Sequence, residues 1–128
     1  MSIHNYPVAA SGLRMLPKDI MKVGVLLLNG GYYNGKVLLN KQWIEESFTP
    51  RVKRGKDGSY GYQFWIDPSP EKAESNMLVT AVGNGDQRIF IDRQKQLVVV
   101  TTAGNYNIWN IEKGSFQLLT DFIYPSLE

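Results

Sequence analysis

The chain has 128 residues, 43% of them hydrophobic and 12% aromatic, which suits one domain with a modest core. Fourteen basic residues against twelve acidic ones leave a net charge of +2, too balanced for a nucleic-acid footprint. The absence of cysteine excludes disulfides and Cys-based metal sites, the single histidine (His4) excludes a His-rich one, and no apolar run approaches the roughly 18 residues of a membrane span.

The ends lack element-forming patterns. Met1-Ser2 runs abruptly into Ile3-His4-Asn5-Tyr6-Pro7, and Leu127-Glu128 is what a cloning site leaves behind. Residues 1–9 and 127–128 are therefore expected to lie outside the fold. No basic-then-apolar export signal opens the chain, so compartment is not readable from these residues.

Pro17 to Leu28 reads as a helix. Proline suits the first helical position, Asp19 meets the positive end of the helix dipole, and Ile20, Val23, Gly24, Leu27 and Leu28 keep helical spacing. Asn29-Gly30-Gly31 supplies the stop. Asn34-Gly35, between Tyr32-Tyr33 and Lys36 to Leu39, predicts a tight hairpin turn. Asn40 is a cap for a short helix from Lys41 to Phe48, with Trp43, Ile44 and Ser47 inward. Arg51 to Ser59, including the basic run Arg51-Val52-Lys53-Arg54-Gly55-Lys56, reads as a solvated polar loop.

The second half changes to period two. Tyr60 to Asp67 is a predicted strand, with Tyr62, Phe64 and Ile66 on one face and Gln63 and Trp65 on the other. Pro68 to Asn76 is a breaker-rich loop. Met77 to Val82, Gln87 to Asp92 and Leu97 to Thr102 are further strands, the last two joined by a polar turn. Val98, Val99 and Val100 in a row suggest a central strand buried on both faces. A helix is expected from about Trp109 to Phe122. The layout is α+β: N-terminal helices, an antiparallel sheet of three to four strands, and a packing C-terminal helix in one domain.

These segments, in order, resemble one family. Ala10-Ser11-Gly12-Leu13-Arg14, Pro17 to Gly24, Leu27 to Lys36, Trp43-Ile44, Tyr60 to Trp65, Val82 to Asp92 and Leu97 to Asn107 are colinear with stretches of class C β-lactamase-like serine hydrolases, a group related to penicillin-binding proteins. The resemblance implies a partial β-lactamase/transpeptidase-like fold, and a chain that is the C-terminal fragment of a larger domain. It implies a bacterial parent that cleaves a small amide or ester through an acyl-enzyme. By resemblance only, that parent is exported to the periplasm. No cofactor and no metal are implied.

The family's chemistry uses a Ser-x-x-Lys nucleophile, a Tyr-x-Asn in a helical lobe, and a Lys-Thr-Gly or His-x-Gly on a sheet-edge strand. The resemblance begins downstream of the first two. Isolated activity is therefore not expected, and the missing N-terminal part of the same domain is the implied partner. The third motif maps to Asn84-Gly85-Asp86, with the Gln87 N–H as the implied oxyanion donor. Asn84 stands where the family has Lys or His, and Asp86 where it has Gly. Those departures open an alternative, a non-catalytic binding or scaffold domain derived from the family. From composition alone, Gly83-Asn84-Gly85-Asp86 is equally a tight turn between strands.

Tyr60, Tyr62 and Trp65 form the candidate cleft wall, although large aromatics more often serve a core. Two short matches read as decoys. Ser69-Pro70-Glu71-Lys72 spells Ser-x-x-Lys but lies in a Pro-flanked loop, and Tyr32-Tyr33-Asn34 spells Tyr-x-Asn within the hairpin turn. Without the family's N-terminal strands, an uncovered sheet edge invites self-association.

Overall fold

The computed structural model describes residues 12–71, 76–108 and 114–127, with the backbone of 2–3 and 6–7. Ser2–Ile3 (β1) and Tyr6–Pro7 (β2) pair antiparallel, where the sequence showed no element-forming pattern. Helix α1 spans Pro17–Leu28 and opens on its proline, with Asp19 bound to Lys22 at 2.7 Å. It stops at Asn29, and Gly31 N–H returns to Leu26 O at 2.8 Å. Tyr32–Tyr33 (β3) and Lys36–Val37 (β4) form the expected hairpin, with φ of 47° at Asn34 and 78° at Gly35. Helix α2, Lys41–Ser47, is capped by Asn40, whose side chain accepts from Gln42 N–H at 2.8 Å.

The main sheet is a six-stranded antiparallel meander: Val52–Arg54 (β5), Gly58–Tyr60 (β6), Trp65–Pro68 (β7), Met77–Gly83 (β8), Gln87–Asp92 (β9) and Leu97–Thr101 (β10), in spatial order β10-β9-β8-β7-β6-β5. That exceeds the expected three to four strands for two local reasons. The basic segment read as a loop is a hairpin, turning at Gly55 with φ of 63°. The single strand expected over 60–67 is broken by a turn, in which Gly61 N–H donates to Phe64 O at 2.9 Å and Gln63 takes φ of 66°. Polarity hid the first turn, and apolar alternation running straight through hid the second.

Pairing partners share a face, so the register divides the sheet. Val79, Ile89 and Ile91 face α1 and α2, in a core with Ile44, Phe48, Leu27, Leu28 and Phe64. Leu78, Phe90, Leu97 and Val99 face the C-terminal segment, packing on Leu119, Ile123 and Tyr124. Burying one such side chain contributes about 1.5–3 kcal/mol. Three layers result, with the sheet in the middle.

Three details differ from expectation. Among the described residues the valine-rich β10 is an edge strand, not a central one; Val98 meets α1 and Val99 the C-terminal segment, so apolar residues are wanted on both faces even at the edge. Trp43 is 56% exposed, turned away from the core that Ile44, Ser47 and Phe48 enter. The terminal helix is Ser115–Leu118 (α3), then a π-helical turn Leu119–Ile123 and a 3-10 turn Tyr124–Leu127. It therefore passes Phe122 and takes in Leu127, because Tyr124 is a buried core residue; its expected start at 109–113 lies outside the described residues.

α1 lies unusually close to the sheet. A methyl group on Gly24 would stand 2.5 Å from Val98 Cγ1 and 2.9 Å from Ile89 Cγ2. Glycine here serves close approach; its φ is ordinary.

Candidate functional site

The turn between β8 and β9 carries the four residues mapped to the third motif. Gly83 pairs with Gln87, leaving Asn84, Gly85 and Asp86 as a three-residue loop. Gly85 has φ of +91° and Asp86 +67°. The φ at 85 favours glycine, and an added Cβ would also press on the Tyr106 ring at 3.0 Å.

Each side chain of this loop is tethered. Asn84 donates to Asn107 Oδ1 at 3.1 Å and accepts from Asn107 N–H at 2.9 Å. Gly85 O accepts from Asn105 N–H at 3.2 Å, an isolated β-bridge. Gln87 Nε2 donates to Ala103 O at 2.6 Å. Asp86 does not project into open space. It is buried, with Oδ1 accepting from Arg88 Nε at 2.6 Å and Oδ2 from Ser115 N–H at 2.7 Å. Burial pushes the Asp86 carboxyl up, but the Arg88 and Ser115 hydrogen bonds outweigh it and hold the group below the usual carboxylate value. The Asp86 charge is thus balanced by Arg88 and turned inward.

Beside this loop the sheet has a notch. Strand β7 pairs with β8 only as far as Trp65 opposite Thr80, so among the described residues Ala81, Val82 and Gly83 have no strand neighbour on that side. A strand edge of this kind offers backbone N–H and C=O groups to an extended ligand. Trp65 marks the start of the notch. Its ring meets Tyr60 edge-to-face at 5.4 Å, and the Arg54 guanidinium lies 4.4 Å from its centroid. Tyr62 does not join them. It stacks on Trp43 at 5.7 Å, with Arg51 over its ring at 5.0 Å. The three aromatics are therefore two groups: Tyr60 with Trp65 at the notch, Tyr62 with Trp43 beside α2.

Ser69 is only 1% exposed and donates to Asp92 Oδ2 at 3.5 Å. Asp92, fully buried, also accepts from Asn76 Nδ2, from Lys95 N–H at 2.9 Å and from the Tyr124 hydroxyl. Ser69 is part of that structural cluster, and Lys72 lies outside the described residues, as does His4. Asn34 of the Tyr-x-Asn match sits in the hairpin turn. Among the described residues no three His, Cys, Asp or Glu side chains gather as a metal site, and no helix is long and apolar enough to cross a membrane.

With this geometry in view, comparison with solved structures is informative. One, assigned by name as a 6-aminohexanoate-dimer hydrolase from Bacillus anthracis, superposes with a TM-score of 0.55 at 24% identity over 87% of this chain. The fold is a partial β-lactamase-like fold. The chain spans 26% of that protein's length. No family model matches the chain, and no curated protein matches it closely.

Within the β-lactamase-like fold, several residues matter that the sequence reading did not single out. Arg88, Asn107 and Ser115 hold the 84–87 loop. Arg88 carried a signal, since a charge in register with Phe90 on an apolar face demands a partner. Asn107 and Ser115 carried none, because their partners are remote in sequence.

Proposed function

We propose that this chain is the C-terminal portion of a β-lactamase-related serine hydrolase and supplies one wall of its cleft. In the whole protein, an upstream serine would attack an amide or ester carbonyl and expel the amine or alcohol. Water would then hydrolyse the acyl-enzyme to the acid and regenerate the serine. This chain would contribute the open β8 edge and would depend on the upstream portion for the nucleophile; the Gln87 N–H belongs to β9, across β8 from that edge. The observation that supports the reading is the notch at Ala81–Gly83. It leaves a strand edge unpaired directly beside the Asn84–Gln87 loop, where the resemblance puts the third motif.

A second reading has specific support. Asn84 is clamped to Asn107 and Asp86 faces inward, so neither side chain is available to grip a substrate carboxylate. A scaffold or binding domain that kept the sheet and lost the chemistry fits these two positions.

Intact mass after incubation with a penicillin and with a serine-directed ester separates the readings. The isolated chain is expected to show no adduct. Joined to its upstream portion, the protein should acquire one adduct per chain under the hydrolase reading, and none under the scaffold reading. A stoichiometric adduct on the isolated chain would overturn both.

A further inference from the structure

We propose that Asn34 is a site of self-modification, its side-chain amide converted to a carboxyl through a succinimide ring formed with the backbone nitrogen of Gly35. The sequence carries three Asn-Gly steps, at 29–30, 34–35 and 84–85. Glycine has no side chain to hinder its nitrogen, so all three hold the reactive pair. The Gly nitrogen attacks the Asn Cγ and forms a new N–C bond; its proton and the amide nitrogen Nδ2 leave as ammonia. Water then adds to one of the two ring carbonyls and breaks that carbonyl's bond to nitrogen. The product is an aspartate, or an isoaspartate whose main chain runs through the former side chain. The fold decides which of the three steps reacts, and this inference uses neither the notch nor the hydrolase reading.

Attack needs a free nitrogen, an untethered amide and a backbone that can bend. Asn34-Gly35 meets all three needs. Both residues are exposed, and the Asn34 side chain makes no hydrogen bond among the described residues. The Gly35 N–H has no backbone acceptor there either, and a Cβ built on Gly35 would meet nothing within 4 Å. The turn, with φ of 47° at Asn34 and 78° at Gly35, has to open for the nitrogen to reach Cγ. Opening is easy, because β3 and β4 pair over two residues each and stand apart from the main sheet.

The other two steps are held. Asn29 closes α1, its own N–H donating to Val25 O at 3.0 Å, and the Gly30 N–H that would have to attack donates to Leu27 O at 3.1 Å. Asn84 is clamped by Asn107 through both its side-chain oxygen and its nitrogen. Gly85 is buried beside the Tyr106 ring, with its carbonyl bound to the Asn105 N–H. Reaction at either site first breaks bonds that fix the end of α1 or the loop between β8 and β9. At Asn34 the two products differ in effect. Aspartate tolerates the left-handed conformation and keeps the turn. Isoaspartate lengthens the backbone inside a two-residue turn and disrupts the Tyr33–Lys36 register, loosening the hairpin that joins α1 to α2.

The test incubates the full chain in mildly alkaline buffer, with and without urea, and samples it over time. Tandem mass spectrometry of tryptic peptides follows the amide-to-acid mass gain at each Asn, and fragmentation separates Asn29 from Asn34, which share the peptide ending at Lys36. In the folded chain, Asn34 is expected to convert roughly tenfold faster than Asn29 or Asn84, since hydrogen bonds must open first at those two sites. In urea that separation should vanish, because the bonds that protect Asn29 and Asn84 are gone. No conversion at Asn34, or equal rates at the three sites in the folded chain, would overturn the proposal. So would an unchanged ranking and ratio in urea, since sequence context and not the fold would then set the order.

Discussion

The Asp86 carboxylate accepts a 2.7 Å hydrogen bond from the backbone N–H of Ser115, 29 residues further along the chain. Ser115 Oγ returns a bond to Asp86 O at 3.2 Å. This reciprocal pair satisfies an orphan N–H at the start of α3 and pins the C-terminal segment to the loop between β8 and β9.

Removing the carboxylate should loosen both elements. Asp86→Ala is expected to cost about 2 kcal/mol, since it strips a partner from Arg88 and a cap from α3. The pH dependence has a definite sign. The Asp86 carboxyl is lowered in the folded state, by hydrogen bonds that outweigh its burial. Its contribution is therefore present above the unfolded carboxyl value of about 3.9 and lost as pH falls through the lower folded value. Urea midpoints measured across that acid window should fall less steeply for Asp86→Asn than for the parent chain.

Asp92 is predicted to matter far more than Ser69. Asp92→Ala strands Asn76, Tyr124 and the Lys95 N–H and should cost about 3 kcal/mol or more. Ser69→Ala removes one long hydrogen bond and should cost less than about 1 kcal/mol. Chemical denaturation of the two variants decides this, and near-equal losses would contradict the assignment of Asp92 as the hub.

The same cluster predicts an alkaline limb. Burial, reinforced by the hydrogen bond to Asp92, raises the Tyr124 hydroxyl. The protonated form is thus favoured by folding, and its contribution is complete below the unfolded value of about 10 and lost as pH rises through the higher folded one. Tyr124→Phe should flatten the stability profile in that alkaline range and lower the plateau below it.

Gly24→Ala sets two effects against each other. Alanine gains about 1 kcal/mol of helix propensity. The methyl group would press on Val98 and Ile89 at separations that real contacts do not show, and overpacking costs about 1–3 kcal/mol. Net destabilisation is expected, with loss of the α1–β10 contact visible as faster amide exchange in α1.

Strand β10 pairs only with β9, so its outer edge is open among the described residues. Self-association through that edge is expected, read as a concentration-dependent mass in sedimentation equilibrium. A single monomer mass across the accessible range would contradict it.

Much of the fold was legible because its signals are local. Pro17, Asn29-Gly30-Gly31, Asn34-Gly35 and Asn40 each carry their own backbone instruction, and each element they mark is present. Alternation located β8, β9 and β10, since a strand with a buried face must repeat every two residues. The polar hairpin from Val52 to Tyr60 escaped notice because its short strands are stabilised by backbone pairing and carry little apolar pattern. The turn at Gly61–Phe64 escaped because its side chains kept alternating across the break.

Tertiary structure alone decided where side chains point at the loop after β8. From the sequence, Asn84 and Asp86 are polar turn residues, and the resemblance puts them where a cleft would be. Their partners, Asn107 and Ser115, lie 23 and 29 residues away, across segments whose course no local rule specifies. It likewise took the packed chain to set Tyr62 on Trp43 instead of beside Trp65, and to bury Ser69 against Asp92. Local dihedral preference and periodicity are properties of neighbouring residues. The partner a polar group finds once water is excluded depends on which distant surfaces meet, and that is settled only when the core closes.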